Sequence, residues 1–290
     1  MRAVLALLLG ALLLASSAGS RRLTGVSRGG AEWFGPRPPP APRRVVSLAP
    51  SLTDVVVALG RSSLLAGVTR HDDAPEVAGL PRVGGFLDPS PEAVLAVKPD
   101  LVIWMTDGAA FPAVRRIAEL GVPVLALPVI GVADALEAVR MVGAALGNAP
   151  AGERLARSLS DGVERVRRRA SELPRVRVLF VAGHEPLVVA GPGSFPDELL
   201  RIAGGDNVAT GDRPWPVYSL ERAVADDPAL VVDAAVAEPA EGIRRLAAIP
   251  AVRAGLVARL GNDDILRPGP RMVRALDQLF RVLHPGVEWP

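Results

Sequence analysis

A stretch of fourteen residues occurs twice in this chain, and it constrains the fold more than any other feature. Residues 90–103 read SPEAVLAVKPDLVI, and residues 219–232 read SLERAVADDPALVV, 129 positions later. Each copy begins with a serine suited to a helix N-cap and a glutamate in the first turn. It continues as a short apolar helix and passes a proline into an apolar strand. A recurrence at this distance predicts two similar α/β lobes rather than a short-period solenoid.

Strand and helix patterns alternate on both sides of the repeat. The sequence therefore predicts an α/β fold of two doubly wound lobes, residues 43–148 and 175–290, each built on a largely parallel sheet. Ser51 and Asp54 are expected to form a capping box on the first helix. Residues 251–260 are expected to form a short helix.

Residues 149–174 follow a different pattern. Apolar residues recur at every third or fourth position of a strongly charged segment, which predicts a long helix with one apolar stripe. Pro150 suits the first turn of this helix, and Pro174 ends it. At 1.5 Å per residue the helix would extend about 36 Å, which is longer than one lobe requires. We interpret it as a rigid helix joining the lobes; a surface helix of the first lobe is the alternative.

The first residues predict export from the cytoplasm. An apolar run after Arg2 is too short for the ~20 residues of a membrane span, and small residues fit a signal-peptide cleavage site after Ala18; a buried N-terminal helix is the alternative. Because the chain has no cysteine, lipid attachment to cysteine, disulfides and cysteine metal sites are excluded. We therefore expect a periplasmic protein that is not a lipoprotein. Residues 19–42, rich in Pro, Gly and Arg, predict a disordered tether.

The charged residues indicate neither nucleic-acid binding nor a familiar enzyme. The formal net charge is +2, and no basic face is interleaved with aromatic residues. Lys98 is the only lysine and follows no glycine-rich loop, which excludes a Walker A motif. Residues 191–194 match neither a dinucleotide fingerprint nor a nucleophile elbow. We expect no enzymatic activity and no metal site; a secreted α/β enzyme with His71 or His184 as a base is the alternative.

A ligand site is expected between the lobes. Ligands bind outside the carboxyl ends of the strands in doubly wound sheets, and two lobes on one helix would point these ends at a shared cleft. Aromatic residues form only 4% of the chain, yet several lie at predicted strand ends, which favours a flat apolar ligand. The candidate ligand-binding residues are His71, Phe86, Trp104, Met105, His184, Trp215, Tyr218, Asp263 and Arg267. Core packing is the alternative for each aromatic residue, and solvated turns are the alternative for the two histidines.

Glu92 and Glu221 occupy the same position in the two copies of the repeat. A single glutamate in a first helical turn usually stabilises the helix dipole, by about 0.3–1 kcal/mol. Two equivalent glutamates on a two-lobed protein would instead present matching acidic sites to a cationic partner with pseudo-twofold symmetry.

Five segments together resemble the substrate-binding proteins of ABC importers for cobalamin, ferric siderophores and haem, whose lobes are joined by one long helix. These segments are residues 43–60, 67–75, 83–103, 190–208 and 215–232. The resemblance extends from Arg44 to about Leu283, and the cobalamin receptors are most similar through WP at 215–216 and SLE at 219–221. It implies a monomeric periplasmic protein without a resident cofactor that binds cobalamin or a related corrinoid. Haem or a ferric siderophore is the alternative ligand, and a binding domain that signals without transport is a third possibility.

The same resemblance implies roles for individual residues. Glu92 and Glu221 match glutamates that meet arginines on the two permease subunits. Phe86 and Trp215 match ring-contacting aromatic residues, and His71 stands where the cobalamin receptors often have tyrosine. Met105, preceded by Trp104, stands where some have tryptophan, and Asp263 and Arg267 fall in a late turn that touches the ligand. Arg70, Arg213 and Arg267 would suit an anionic siderophore.

Overall fold

The computed structural model describes residues 30–106 and 112–289. The expected signal peptide, residues 1–18, lies outside the described residues, as do residues 19–29 of the expected tether.

The first five strands form one sheet in the order β1-β5-β4-β2-β3. These strands are β1 (Glu32–Phe34), β2 (Val45–Ser47), β3 (Leu65–Gly67), β4 (Leu101–Thr106) and β5 (Val124–Pro128). β2 to β5 pair in parallel, with Val46 opposite Val102, and β1 lies antiparallel to β5 at the edge. The central strands are continuous apolar runs because helices cover both faces of the sheet.

The last five strands form a second, separate sheet in the order β10-β9-β6-β7, with β8 also paired to β6. These strands are β6 (Val176–His184), β7 (Leu187–Val189), β8 (Gly205–Asn207), β9 (Leu230–Asp233) and β10 (Val257–Arg259). β6, β8, β9 and β10 pair in parallel, and β7 is antiparallel to β6. β10 corrects the expected helix over residues 251–260, because only the first part of that segment is helical.

Helices connect and cover the two sheets. The α-helices are α1 (Pro50–Ala58), α2 (Pro91–Ala96), α3 (Pro112–Glu119), α4 (Val132–Ala145), α5 (Ala149–Ser171), α6 (Phe195–Ile202), α7 (Leu220–Ala225), α8 (Pro250–Arg253) and α9 (Met272–Leu283). Short 3₁₀ helices span Ser62–Leu64, Pro75–Val77, Ala240–Leu246 and Asp264–Leu266. No helix in the described part of the chain is both long and apolar enough to span a membrane.

The repeated sequence forms the same local structure in both lobes. Ser90 accepts a hydrogen bond from the Ala93 N–H, and Ser219 accepts one from the Arg222 N–H, each at 3.1 Å. These bonds satisfy helix N-terminal donors that would otherwise lack partners. In each copy the capped helix, α2 or α7, then leads into a central strand, β4 or β9.

Helix α5 packs against α4 of the first lobe and against α6 and α9 of the second. Its buried positions are Gly152, Ala156, Leu159, Gly162, Val163, Val166 and Ala170. Burying a side chain such as Leu159 contributes about 1.5–3 kcal/mol. One core cluster includes residues of both sheets and of α5, so the two sheets share a continuous apolar interior. The predicted fold, two doubly wound lobes joined by one long helix, is confirmed.

Helices α4 and α5 approach closely where two glycines face each other. A Cβ atom added to Gly143 would lie 2.7 Å from the Cα of Gly152. Carbon atoms pack at about 3.5–4.0 Å, so this crossing requires glycine at both positions.

Part of the expected disordered tether is structured, and that expectation is wrong for residues 32–34. They form β1 and pair with β5, with Trp33 opposite Leu125. Trp33, Arg37 and residues 38–40 also line a cavity of about 530 Å³ together with Met141 on α4. The composition of the segment does not reveal these contacts because an edge strand is held mainly by backbone hydrogen bonds.

Candidate functional site

Large apolar side chains are exposed in the loops that follow the strands of both lobes. Leu87 precedes α2 and Ile130 follows β5 in the first lobe, while Trp215 and Val217 lie between β8 and α7 in the second. Because α2 and α7 run back from the carboxyl edges of their sheets, the loops before them lie at those edges. Both lobes therefore carry exposed apolar surface where a doubly wound sheet binds ligands.

The loop that carries Phe86 and Leu87 is fixed by a salt bridge. Arg70 Nη1 lies 2.7 Å from Asp88 Oδ1, and Arg70 Nη2 contacts Asp88 Oδ2. Phe86 is half-buried and packs against the main core cluster. This bidentate pair orients the loop and neutralises the Arg70 cation.

In the first lobe, the predicted site residues His71, Trp104 and Met105 have different surroundings. His71 is exposed in the turn after β3. Trp104 is buried in the core cluster beneath α3, which leaves it little surface to offer a ligand. Met105 points to the opposite face of β4 and is half-buried, and its Sδ accepts a hydrogen bond from Ser51 Oγ at 3.5 Å. Alternation along the strand puts the two side chains on opposite faces.

In the second lobe, His184 is buried within a polar cluster. Its Nε2 lies 3.0 Å from Asp233 Oδ1, and its Nδ1 lies 3.0 Å from Glu238 Oε2 without hydrogen-bond alignment. Asp233 also binds Arg259, at 2.7 Å. The cluster ties β6, β9 and β10 together, so His184 is held inside the lobe rather than at an open edge.

Tyr218 is also buried, whereas Trp215 is exposed. The Tyr218 hydroxyl donates a hydrogen bond to the Asp226 carboxylate and accepts one from the Thr210 N–H at 3.3 Å. Its ring belongs to the core of the second lobe. Of the two aromatic residues predicted there, Trp215 is the one with surface available to a ligand.

Arg267 connects the two lobes. Its guanidinium binds Asp263 at 2.8 Å and Asp73, in the first lobe, at 2.9 Å. It also donates to the backbone carbonyl of His71 at 3.3 Å. The predicted pair Asp263 and Arg267 therefore lies at the boundary between the lobes, joined to the loop that carries His71.

Arg271 makes a second connection between the lobes. Its Nη2 lies 2.7 Å from both Asp54 Oδ1 and Asp73 Oδ1, and its Nη1 lies 3.6 Å from Asp264 Oδ1. Asp54 thus pairs with Arg271 instead of forming the expected capping box with Ser51, and Ala49 caps α1 without a side-chain hydrogen bond. Burial alone would lower the pKa of Arg271, but the hydrogen bonds to Asp73 and Asp54 outweigh it and raise the pKa.

We call this set of charged residues the interlobe ion cluster. Its members are Asp54, Asp73, Asp263, Asp264, Arg267, Arg271 and Arg274. Five members could not be predicted, because no local pattern shows which charged residues, some of them about 200 positions apart, will meet; they are Asp54, Asp73, Asp264, Arg271 and Arg274. A further contact joins the lobes where Glu198 on α6 accepts the N–H of Val132 on α4, at 2.8 Å.

The pKa of Asp73 lies below its usual value, because of its hydrogen bond to Arg271 and its proximity to Arg267. A lowered folded-state pKa means that this carboxylate stabilises the fold above its unfolded pKa and that the contribution is lost as the pH falls. We expect Asp73→Asn to destabilise the protein by up to about 1 kcal/mol at neutral pH, since the group is half exposed.

Urea unfolding of the wild type and of Asp73→Asn at pH 7 and at about pH 3 checks this expectation. The difference between the two proteins should shrink at the acidic pH. Glu76→Gln, an exposed neighbour without an ion pair among the described residues, should show little difference at either pH. A difference for Asp73→Asn that is the same at both pH values would contradict the assignment.

Glu92 and Glu221 are both exposed in the first turns of α2 and α7. Glu92 accepts a hydrogen bond from Ser90 Oγ at 3.2 Å. Neither carboxylate forms a salt bridge with another described residue. Both are therefore free to meet a cation on a partner. Within the described ranges, no group of three or more acidic or histidine side chains is arranged to hold a metal ion.

Comparisons with known proteins agree with this architecture. The chain is 26% identical over 237 residues to the vitamin B12-binding protein of Vibrio parahaemolyticus, covering 80% of this chain and 86% of that protein. A periplasmic haem-binding protein from Pseudomonas aeruginosa has a similar structure, with a TM-score of 0.75, 29% identity and coverage of 85% of this chain and 94% of that one. The periplasmic vitamin B12-binding protein of Vibrio cholerae shares the fold, with a TM-score of 0.74, 24% identity and coverage of 84% and 98%.

The family assignment rests on most of the folded chain. The family model described as periplasmic binding protein matches residues 45–263. This range begins at strand β2 and ends at Asp263 of the interlobe ion cluster. Because the match includes both copies of the repeat and α5, the chain belongs to the periplasmic binding protein family, whose members bind substrates rather than transform them.

Proposed function

We propose that this chain captures cobalamin or a related corrinoid between its two lobes in the periplasm and delivers it to the permease of an ABC importer. The observation that carries this proposal is the exposed apolar surface at the carboxyl edges of both sheets, above all Trp215. A flat macrocycle offers the large apolar area that such side chains bury on binding.

The relatives support this ligand class. Several proteins similar to this chain over about 80% of its length are vitamin B12-binding proteins, including those of Vibrio parahaemolyticus and Salmonella typhimurium. A Bacillus subtilis relative, 26% identical, is an ABC transporter substrate-binding lipoprotein, which supports a role in import. We propose Phe86, Trp215 and His71 as the principal ligand contacts, with Met105, Asp263 and Arg267 at the margin of the gap.

Delivery would use Glu92 and Glu221 as docking residues for two permease subunits. Their exposure and their equivalent positions in the two lobes support this role. We propose that the protein is exported by a signal peptide of residues 1–18 and acts as a monomer without a lipid anchor. Its lobes would comprise residues 43–148 and 175–290, joined by residues 149–174.

Haem is the second candidate ligand, and the exposed imidazole of His71 favours it. Haem iron takes an axial histidine ligand, and His71 is available to a ligand whereas His184 is buried. A haem-binding structural neighbour, 29% identical to this chain, supports this alternative.

Titration of the purified protein with cyanocobalamin, haemin and a ferric siderophore distinguishes the candidates. Quenching of tryptophan fluorescence and shifts of the visible bands of each ligand would be followed together. Saturable binding of cyanocobalamin at the lowest concentration supports the proposal. Preferential binding of haemin with an imidazole-type spectrum, lost in His71→Ala, would establish haem instead.

Replacing Trp215 with alanine should weaken binding of the preferred ligand by about tenfold to a hundredfold, as expected for an aromatic residue that dominates a contact. The measurement is the dissociation constant from the visible bands of the ligand. Trp33→Ala is a matched control, because Trp33 is 44% and Trp215 45% exposed but Trp33 lies on the edge strand β1. Equal affinities of Trp215→Ala and wild type would exclude Trp215 from the site.

A further inference from the structure

We propose that Asp73 determines ligand specificity by covering the cation of Arg267 from the opposite lobe, so that the site disfavours anionic ligands. The inference rests on the proposed function in one respect, namely that the ligand lies in the gap between the lobes.

The exposure of the paired groups decides which charge faces the gap. The Arg267 side chain is 7% exposed, whereas its partners Asp73 and Asp263 are 52% and 34% exposed. Arg267 binds both carboxylates, at 2.9 and 2.8 Å. A ligand that approaches this point therefore meets carboxylate oxygens before it meets the guanidinium.

The charges in the rest of the interlobe ion cluster are paired with one another. Arg271 is largely buried and held between Asp54 and Asp73. Asp264 is fully buried between Arg271 and Arg274, with its Oδ1 at 2.6 Å from Arg274 Nη2. The cluster contains four aspartates and three arginines, so it supplies no unpaired cation for an anionic ligand.

Other arginines at the carboxyl edge of the first lobe are engaged as well. Arg70 is bound by Asp88, and Arg82 donates to the backbone carbonyls of Thr69 and Asp72, both at 3.1 Å. In the second lobe, Arg213 is exposed near Trp215 and forms no salt bridge with the residues that the structure describes. Of these three arginines, Arg213 alone lacks a described partner, whereas Asp73 and Asp263 both keep partly exposed carboxylates, which leaves little attraction for a polyanion.

The chemical consequence is discrimination by ligand charge. Cyanocobalamin has no net charge, whereas haem carries two propionates and ferric catecholate siderophores carry several negative charges. The cluster has one more aspartate than arginines, so an anionic ligand beside it is penalised, and in a partly desolvated site one like-charge contact changes affinity by about tenfold or more. Asp73 is the decisive member because it reaches Arg267 and Arg271 from the other lobe.

The test compares two ligands of nearly the same shape that differ in net charge. Dissociation constants are measured for cyanocobalamin and for its tricarboxylate, made by hydrolysis of three side-chain amides. The wild type should prefer the neutral corrinoid by about tenfold or more, and Asp73→Asn should reduce this preference to about threefold or less. Glu76→Gln removes one negative charge from the adjacent 3₁₀ helix Pro75–Val77 without touching Arg267, and it should keep the wild-type preference.

A wild type that binds both corrinoids equally, or an Asp73→Asn variant with the same preference as wild type, would overturn the inference. Equal loss of preference in Glu76→Gln would also overturn it, because the effect would then be one of overall charge. If the wild type binds haemin but no corrinoid, the proposed ligand is wrong, and the same comparison between haemin and its dimethyl ester, which lacks the two propionate charges, decides the role of Asp73.

Discussion

Replacing both Glu92 and Glu221 with arginine should abolish ligand uptake by cells while the purified protein keeps its full ligand affinity. Each substitution puts a cation where the proposed permease site offers a cation, and like charges at two contacts cost several kcal/mol. Ligand affinity should not change, because both glutamates are exposed. Among the described residues, the side-chain hydrogen bond that would be lost is the one from Ser90 to Glu92. The measurements are uptake of labelled ligand in cells that lack the native gene and the dissociation constant of each purified protein.

The matched control reverses the charge of one exposed glutamate in each lobe, at a position outside the repeat. Glu119 ends α3, and Glu241 lies in the 3₁₀ helix Ala240–Leu246. Glu119→Arg with Glu241→Arg makes the same change in net charge and should leave uptake intact. Normal uptake by the Glu92/Glu221 variant, or a loss of its ligand affinity, would contradict the docking role.

Replacing Arg271 with alanine should lower the free energy of unfolding by about 3–5 kcal/mol, which is the effect of removing one member of a buried ion pair. The change leaves Asp54, which is buried, without its nearest cation, and it removes one of the two arginines that hold Asp73. Burial already raises the pKa of Asp54 despite Arg271, so the carboxylate would be still less favourable alone. Denaturant unfolding followed by circular dichroism measures the loss.

Two further variants separate this effect from the loss of any arginine. Arg281→Ala removes an exposed arginine from the same helix, where it pairs with Asp277 four residues away, and should cost less than about 1 kcal/mol. Asp54→Asn in the Arg271→Ala background should recover part of the stability, because it removes the uncompensated charge. A cost for Arg271→Ala no larger than that for Arg281→Ala would show that the interlobe pair contributes nothing.

The fold could be predicted because its main signals are local. The repeated segments contain their own caps and stop signals, and α5 has an apolar stripe with the helical period, so each element can be identified from a short window. The strands β1 and β10 could not be predicted in the same way. Each has three residues and forms by pairing with a neighbouring strand, β5 or β9, which lies beside it only in the folded protein.

The candidate site was less predictable because proximity to a strand end does not tell which way a side chain points. Trp104 and Met105 are neighbours, yet one is buried in the core and the other meets Ser51. Tyr218 and His184 are likewise turned into the second lobe, where Asp226 and Asp233 bind them. His71, Phe86 and Trp215 keep surface that a ligand could reach, and their roles remain predictions.

The close packing of α5 has a consequence for the way the molecule comes apart. A single apolar interior runs from β2 through α5 to α9, and glycines bring α4 against α5 backbone to backbone. Unfolding of either half would expose apolar side chains of the other half, so the two halves are not expected to unfold independently. Heat should therefore disassemble both halves in one cooperative event, although their hydrogen-bonded sheets are entirely separate.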